Sequence, residues 1–216
     1  MSNLTHFSLV LASRSPQRDL LLRQLGIPFR VVASAHREEV LAGEPWRTAE
    51  HNAAGKAGEV FGRETLAADE LVVGVDTIVV VDGRVLGKAV DAATAREYLG
   101  LLAGRTHEVI SGLCVRGAGR QRLAHARTAV TFRSLSAAEI ERYVATGEWR
   151  QRAGAYAIQG VGSALVEAVQ GDYFNVVGLP TALLVGTLRE FGVGLFAWAN
   201  HGILPGSTCR EGKECS

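Results

Sequence analysis

The segment of residues 71–82 constrains the fold more than any other part of the sequence. It consists largely of Val and Ile, whose β-branched side chains favour a pleated strand. It ends at an Asp-Gly pair, which is typical of a tight hairpin turn, and residues 84–88 then continue as a returning strand. The sequence therefore predicts a β-hairpin near its centre.

Asp76 lies in the middle of the first of these strands, among apolar neighbours. Burying a polar group without a partner costs roughly 2–7 kcal/mol, so this carboxylate needs compensation. Four alternatives are open at this point. Asp76 could meet a metal ion, a cation such as Lys88 from the returning strand, a cleft that admits water and substrate, or backbone N–H groups at a strand end.

Length and composition indicate a single globular domain. A chain of 216 residues can bury a substantial core, and 47% of its residues are hydrophobic. No run reaches the roughly 20 apolar residues of a membrane span. Because the net charge is only +1, the sequence predicts neither a nucleic-acid binder nor a protein of the membrane surface.

The chain ends and the cysteines add three predictions. The N-terminal residues lack the basic and apolar regions of a signal peptide, which predicts a cytoplasmic protein. Cys114, Cys209 and Cys215 are odd in number and not spaced like metal ligands, so neither a disulfide framework nor a zinc site is expected. Gly, Pro, Ser and Cys are frequent near the C-terminus. We therefore expect a domain over residues 1–192 and a weakly ordered tail over residues 193–216.

Hydrophobic periodicity predicts an α/β fold in which helices flank a mixed β-sheet. The predicted order is β-α-β-α-β-β-α-β-β-α-β-α. The strands are expected at 7–13, 28–33, 71–82, 84–88, 106–115, 123–132 and 164–169, and the helices at 15–26, 46–62, 91–102, 136–147 and 181–191.

The start of the first helix is a candidate anion site. Ser15 followed by Pro16 is typical of a helix N-terminus, with the hydroxyl group as cap. Free N–H groups there, together with Arg14 and Arg18, would attract an anion at the end of the preceding strand. An ordinary capped helix with arginines facing solvent is the alternative.

Three further segments carry polar residues whose roles the local sequence does not decide. Glu38 and Glu39 follow the second strand, where adjacent acids are commonly solvated, and Lys56 lies within the second helix. Residues 152–160 are rich in Gly and Ala, which permits close backbone approach. Gln159 in this segment could bond a planar polar ligand such as a base, or the segment could be a structural turn.

Taken together, five sequence blocks resemble the Maf family of nucleoside triphosphate pyrophosphatases over residues 9–191, nearly the whole chain. The blocks occur in the family's order and at comparable spacing. They are ASRSPQR at 12–18, residues 52–57, GVDT at 74–77 with GK at 87–88, GAYAIQG at 154–160 and GDYFNVVGLP at 171–180.

The resemblance implies a fold similar to that of the inosine triphosphate pyrophosphatases, and hydrolysis of a nucleoside triphosphate between its α and β phosphates. The products would be a nucleoside monophosphate and pyrophosphate, in a role of cleaning the nucleotide pool. A divalent cation, Mg²⁺ or Mn²⁺, and a homodimer are also implied. The family's association with division arrest leaves a second hypothesis, a nucleotide-binding regulator of cell division with little turnover. A phosphatase that removes the terminal phosphate is a third, although no nucleophile paired with a base is evident.

Carried over by position, the resemblance assigns roles to individual residues of this chain. Asp76 matches the proton acceptor and Glu39 an acidic position near the metal, so the metal is expected at Glu39 and Asp76. Ser15 belongs to the block that binds substrate. The cations that face phosphate are matched by Arg18, Lys56 and Lys88. Thr77 and Gln159 match two of the family's positions for base selection, and both are the residues found in the dTTP and UTP branch. Gln17 matches the third such position, where that branch usually has Arg.

Overall fold

A single mixed sheet of seven strands runs through the computed structural model, which describes residues 7–198. The strands are β1 (Ser8–Leu11), β2 (Phe29–Val31), β3 (Glu70–Val81), β4 (Arg84–Leu86), β5 (Thr106–Gly117), β6 (Arg120–Phe132) and β7 (Val166–Gln170). Their order across the sheet is β2-β1-β3-β5-β6-β7, and β4 pairs with β3. β1 is parallel to β2 and β3, whereas the remaining pairs are antiparallel. The prediction of a mixed sheet in an α/β fold is confirmed.

The helices also follow the predicted order. They are α1 (Pro16–Gln24), α2 (Pro45–Arg63), α3 (Ala92–Leu102), α4 (Ala137–Thr146), α5 (Tyr173–Val177) and α6 (Thr181–Glu190). Two short elements were not predicted, namely α5 and a 3-10 helix at Gly160–Leu165. Both have only five or six residues, which is too short to show helical periodicity. The 3-10 helix also includes the first two residues of the predicted strand 164–169.

The turn at Asp82 and Gly83 and the helix cap at Asp91 have the conformation that their residue types predict, whereas the predicted cap at Ser15 does not form. Asp82 and Gly83 both have positive φ, 49° and 76°, as the tight hairpin between β3 and β4 demands. Asp91 caps α3 by accepting a hydrogen bond from the Thr94 N–H at 2.7 Å. The prediction for Ser15 was wrong in one respect, because its hydroxyl makes no cap bond to α1 and contacts Gln17 instead.

Helix α2 lies very close to β3 and β5 because both strands have a glycine beneath it. A Cβ atom at Gly74 would be 2.2 Å from the carbonyl oxygen of Ala53, and one at Gly112 would be 2.2 Å from that of Ala49. These alanines and Ala57 are fully buried. The small residues on both elements therefore seat α2 directly on one face of the sheet, while α1, α3, α4 and α6 contribute to the main hydrophobic cluster, on the opposite face.

A gap in the sheet opens beside β3. On one side of this strand β1 pairs with residues 70–73 and β4 pairs with residues 79–81. No described strand pairs with that side of residues 74–78. The gap contains Asp76 and Thr77 and lies at the carboxyl end of β1, where open α/β sheets commonly bind ligands.

The packed region extends past the predicted domain boundary at residue 192. Val193 and Trp198 are buried, and the Trp198 indole N–H donates to the Leu25 carbonyl oxygen at 2.8 Å. The remainder of the predicted tail, 199–216, lies outside the described residues, as do Cys209 and Cys215. None of the described helices is long and apolar enough to cross a membrane.

Candidate active site

The gap in the sheet opens into a cleft of about 900 Å³. This volume lies within the usual range for small-molecule sites. All the residues that the sequence assigned to the site line this one cleft. They are Ser15, Gln17, Arg18, Glu39, Lys56, Asp76, Thr77, Lys88 and Gln159.

Asp76 is compensated by a cation from α2. Lys56 Nζ lies 2.6 Å from Asp76 Oδ1, and Asn52 Nδ2 donates to Asp76 Oδ2 at 3.1 Å. The three side chains are nearly buried. Of the alternatives open from the sequence, a bonded cation inside a cleft is the one observed, although Lys88 is not that cation.

Glu38 is a second carboxylate at the same ammonium group. Its Oε1 lies 2.6 Å from Lys56 Nζ and 3.8 Å from Lys88 Nζ. Burial raises the pKa of Glu38, but the charge and hydrogen bond of Lys56, with the charges of Lys88 and Arg18, outweigh it and lower the pKa overall. Glu38 is therefore held as a carboxylate facing the cleft.

Glu39 reaches the site mainly through its backbone. Its N–H donates to Asn52 Oδ1 at 2.9 Å, and its carbonyl oxygen accepts from Asn52 Nδ2 at 3.0 Å. Its carboxylate is exposed and lies 3.6 Å from His51 Nε2. Asn52 thus holds the acidic loop against Asp76, and the Glu39 side chain lies nearer the rim.

The sequence interpretation gave Glu38 and Asn52 no role. The sequence pattern that could have identified Asn52 as a site residue is indirect. Asn52 and Lys56 are four residues apart, so a helix places them on one face. The other buried residues of that face are small or apolar, namely Thr48, Ala49, Ala53, Ala57 and Val60. Polar side chains at such buried positions need partners across the interface.

Arg18 is a buried guanidinium on the opposite side of β3. It donates to Gly178 O at 2.9 Å, to Ser13 Oγ at 3.0 Å and to Thr77 Oγ1 at 3.2 Å. Burial lowers its pKa, while the charges of Asp76 and Glu38 act in the other direction. Within residues 7–198 no carboxylate lies within salt-bridge distance of it, so its three bonds are all to neutral oxygens.

Adjacent residues of β3 point to opposite faces of the sheet, and the gap exposes both faces to the cleft. Asp76 lies on the polar side, under α2. Thr77 lies on the other side, where the wall is mostly apolar. That wall includes Val79, Val109, Tyr156, Ile158 and Val177.

The two glutamines and Ser15 lie at the border of the cleft. Ser15 Oγ donates to Gln17 Oε1 at 3.2 Å, at the start of α1. Gln159 is exposed at the start of the 3-10 helix, directly after Ile158 of the apolar wall. Both glutamines therefore line the cleft.

The cleft has a local excess of positive charge. Six cationic side chains, Arg14, Arg18, Lys56, Lys88, Arg150 and Arg152, line it together with three carboxylates, Glu38, Glu39 and Asp76. The whole chain has a net charge of only +1, so the positive charge is concentrated here. Within the described residues, no group of three or more His, Cys, Asp or Glu is arranged to hold a metal ion alone. The cleft is thus suited to a small polyanion.

Comparisons with known proteins agree with this architecture. The family described as Maf-like protein matches residues 8–191. The dTTP/UTP pyrophosphatase of Symbiobacterium thermophilum is 47% identical over 189 residues, which cover 87% of this chain and 96% of the relative. The proteins of the same name from Moorella thermoacetica and Deinococcus radiodurans are 49% and 41% identical, covering 87% of this chain and 97% and 94% of their own lengths. The chain therefore belongs to the Maf family.

Proposed function

We propose that this chain hydrolyses nucleoside triphosphates, with dTTP and UTP preferred, between the α and β phosphates. The products are the nucleoside monophosphate and pyrophosphate. The observation that carries the proposal is the buried Asp76–Lys56 pair, which lies inside a cleft with twice as many cations as carboxylates. The names of the relatives support the reaction and the choice of base.

Phosphate binding is the first task of the site. A triphosphate repels an incoming nucleophile unless its charge is offset, and positioning with electrostatic stabilisation supplies most of the catalysis at phosphorus. Lys56 and Lys88 offer ammonium groups on the Asp76 side. Arg18 has five N–H donors, and it donates to three protein oxygens among residues 7–198. Lys56 and Lys88 hold the phosphates beside the acidic residues, and Arg18 meets them from the opposite side of β3.

Asp76 is the proton acceptor for the attacking water in this proposal. Lys56 and Asn52 each donate to one of its oxygens, which fixes the carboxylate plane towards the cleft. A general base must lie within hydrogen-bonding reach of the proton that it takes. With α2 seated on β3, this carboxylate cannot rotate away from that position without breaking both bonds.

The acidic residues also fit a divalent cation. Mg²⁺ is commonly bound through one or two carboxylates and the substrate phosphates, so the absence of a larger protein ligand set among the described residues does not oppose it. Asp76 and Glu38 would hold the ion, with Glu39 nearer the rim. When bound, such an ion supplies charge neutralisation at the phosphoryl oxygens.

The apolar wall beyond Thr77 accommodates the base. Binding sites for planar ligands combine apolar surface with a few polar groups that fix orientation. Here those groups are the Thr77 hydroxyl and the amides of Gln17 and Gln159. The homodimer, the cytoplasmic location and the lack of nucleic-acid and membrane partners remain predictions.

The test is a panel of nucleotides. The full chain is incubated with Mg²⁺ and dTTP, UTP, CTP, GTP or 7-methyl-GTP, and pyrophosphate and orthophosphate are measured separately. Pyrophosphate from dTTP and UTP, lost in an Asp76→Asn variant, is expected. Orthophosphate as first product would indicate a terminal phosphatase instead. Tight nucleotide binding without either product would favour the regulator of cell division.

A further inference from the structure

Gln159 precedes the short 3-10 helix of residues 160–165 but does not cap it. It is the N-cap residue of this helix, with extended backbone, and its side chain makes no cap bond within residues 7–198. The first N–H groups of a helix have no partner inside the helix, and an N-cap side chain commonly accepts from the second or third of them. Here another residue takes these N–H groups.

The carboxylate of Glu148 is the group that caps this helix. Its Oε1 accepts from the Val161 N–H at 2.9 Å, and its Oε2 accepts from the Gly162 N–H at 2.9 Å. Both donors are backbone amides, so the direction of each hydrogen bond is fixed. A Cβ atom at Gly160 would be 2.5 Å from Glu148 Oε1, so the carboxylate lies directly against the start of the helix. Glu148 thus supplies the cap that Gln159 does not.

The support for this cap comes from helix α4 and the turn that follows it. Helix α4 ends at Thr146, whose hydroxyl accepts from the Glu148 N–H at 3.1 Å. Tyr143 of the same helix holds the segment before Gln159, because its hydroxyl accepts from the Ala157 N–H at 3.0 Å. The backbone on both sides of Gln159 is therefore fixed from the α4 side.

Glu148 acts from behind the wall of the cleft. The described residues that line the cleft include Ile158 and Gln159 but not Glu148. Gln159 is exposed, so its amide is accessible to a ligand in the cleft. Glu148 can therefore influence a bound nucleotide only through the segment that it holds.

We propose that Glu148 is a positioning residue, which caps the 3-10 helix in place of Gln159 and so leaves the Gln159 amide available to bond the base. This inference rests on the proposed function, in which Gln159 helps to orient the base. An amide side chain offers both a carbonyl oxygen and an NH₂ group, which suits the polar edge of a base. Without the Glu148 carboxylate, the Val161 and Gly162 N–H groups lack a partner and compete with the base for the Gln159 carbonyl oxygen.

The experiment measures KM and kcat for UTP with Mg²⁺ in four forms of the full chain: the wild type, Glu148→Gln, Gln159→Ala and the double variant. Glu148→Gln keeps the shape of the side chain but leaves one acceptor oxygen in place of two. KM should rise about fivefold in Glu148→Gln, the scale of one hydrogen bond, with little change in kcat. In the Gln159→Ala background the same substitution should raise KM no further, because the amide through which Glu148 acts is absent.

Glu167→Gln is the matched control. This exposed glutamate lies on β7, just after the 3-10 helix, and is not among the described residues that line the cleft. It should leave both constants unchanged. An equal rise in KM on substitution of Glu148 with and without Gln159 would indicate a general structural role and overturn the inference. An unchanged KM in Glu148→Gln or in Gln159→Ala would overturn it as well.

Hydrogen exchange of the wild type supplies a measurement that needs no variant to fold. The Val161 and Gly162 amides should exchange slowly, and exchange as fast as in an unstructured peptide would overturn the inference. Release of pyrophosphate by the wild type tests the proposed function separately. If none is released, the proposed function fails. Calorimetric binding of UTP to the same four proteins then decides the inference, and no binding of UTP would overturn it too.

Discussion

Gly74 of β3 lies directly against the backbone of Ala53 in α2. A Cβ atom at Gly74 would be 2.2 Å from the Ala53 carbonyl oxygen and 2.8 Å from the backbone nitrogen of Ala57. Lys56 lies on the same helix between these two residues and contacts Asp76 at 2.6 Å. The close approach of helix and strand therefore sets the distance between the proposed base and its cation.

Replacing Gly74 with alanine should push α2 away from the sheet. The new methyl group meets backbone atoms, which cannot rotate aside as a flexible side chain could. Overpacking of this kind typically costs about 1–3 kcal/mol. We expect Gly74→Ala to lower the free energy of unfolding in urea by about this amount and to reduce kcat, because Lys56 and Asn52 move away from Asp76.

Gly62→Ala is the matched control for this prediction. Gly62 is on the same helix, and nothing lies within 4 Å of a Cβ atom there. It should leave activity unchanged and stabilise the helix by up to about 1 kcal/mol. A Gly74→Ala enzyme with wild-type kcat would show that the contact of α2 with β3 does not set the site geometry.

The two neighbouring glutamates should differ sharply in their effect on activity. Glu38 contacts Lys56 inside the cleft, whereas the Glu39 carboxylate lies at the rim beside His51. We expect Glu38→Gln to lower kcat/KM by about 100-fold, the scale of one preorganised electrostatic contact. Glu39→Gln should lower it by about fivefold or less, the scale of an exposed charge. A larger loss at Glu39 would support the assignment of the metal position to Glu39.

The sequence predicted the order of the seven strands and of all the longer helices, and the residues that it assigned to the site line the cleft, but it gave Glu38 and Asn52 no role. It succeeded because these features depend on residues that are close in sequence: the turn at Asp82 and Gly83, the Asp91 side chain that caps α3, and the Ser136 side chain that caps α4 by accepting from the Glu139 N–H. Asp76 was identifiable because a carboxylate in an apolar strand is costly.

The partners of Asp76 could not be predicted in the same way. The sequence left four alternatives open and offered Lys88, the neighbour along the hairpin, as an example of a cation, but the observed cation is Lys56. This contact depends on how closely α2 packs on the sheet, which is a tertiary property set by Gly74 and Gly112 together. The role of Glu38 likewise depends on a contact between segments that are distant in sequence.

The Lys56–Asp76 pair should also be visible in stability measurements. Both side chains are nearly buried, so removal of one charge leaves the other without its partner. Breaking a buried pair in this way typically costs about 3–5 kcal/mol, whereas replacing both partners by apolar residues is often neutral. We expect Lys56→Met to destabilise strongly, and Lys56→Met combined with Asp76→Leu to recover most of the loss without recovering activity. Urea denaturation provides the comparison, and additive effects of the two substitutions would contradict a direct coupling.

Acid sensitivity should come in part from His107, which lies on β5 away from the catalytic residues. Its ring is almost completely buried against Phe132 and Tyr156, and its Nε2 atom lies 2.8 Å from the Tyr156 hydroxyl. Burial lowers the pKa of His107 to about 4, from an ordinary value of 6.5. The folded protein therefore keeps this imidazole neutral where an unfolded chain would protonate it.

The sign of the effect follows from proton binding in the two states. Between pH 6.5 and about 4 the unfolded chain binds more protons at His107 than the folded chain does, so stability falls as the pH falls through this window. At pH 5 the loss from this residue is on the order of 2 kcal/mol. His107→Gln removes the titrating group and should show a smaller loss of unfolding free energy between pH 7.5 and pH 5 than the wild type. Equal losses in both proteins would mean that His107 takes up its proton at the same pH in the folded and in the unfolded chain. Burial would then not lower the pKa of His107 in the folded protein.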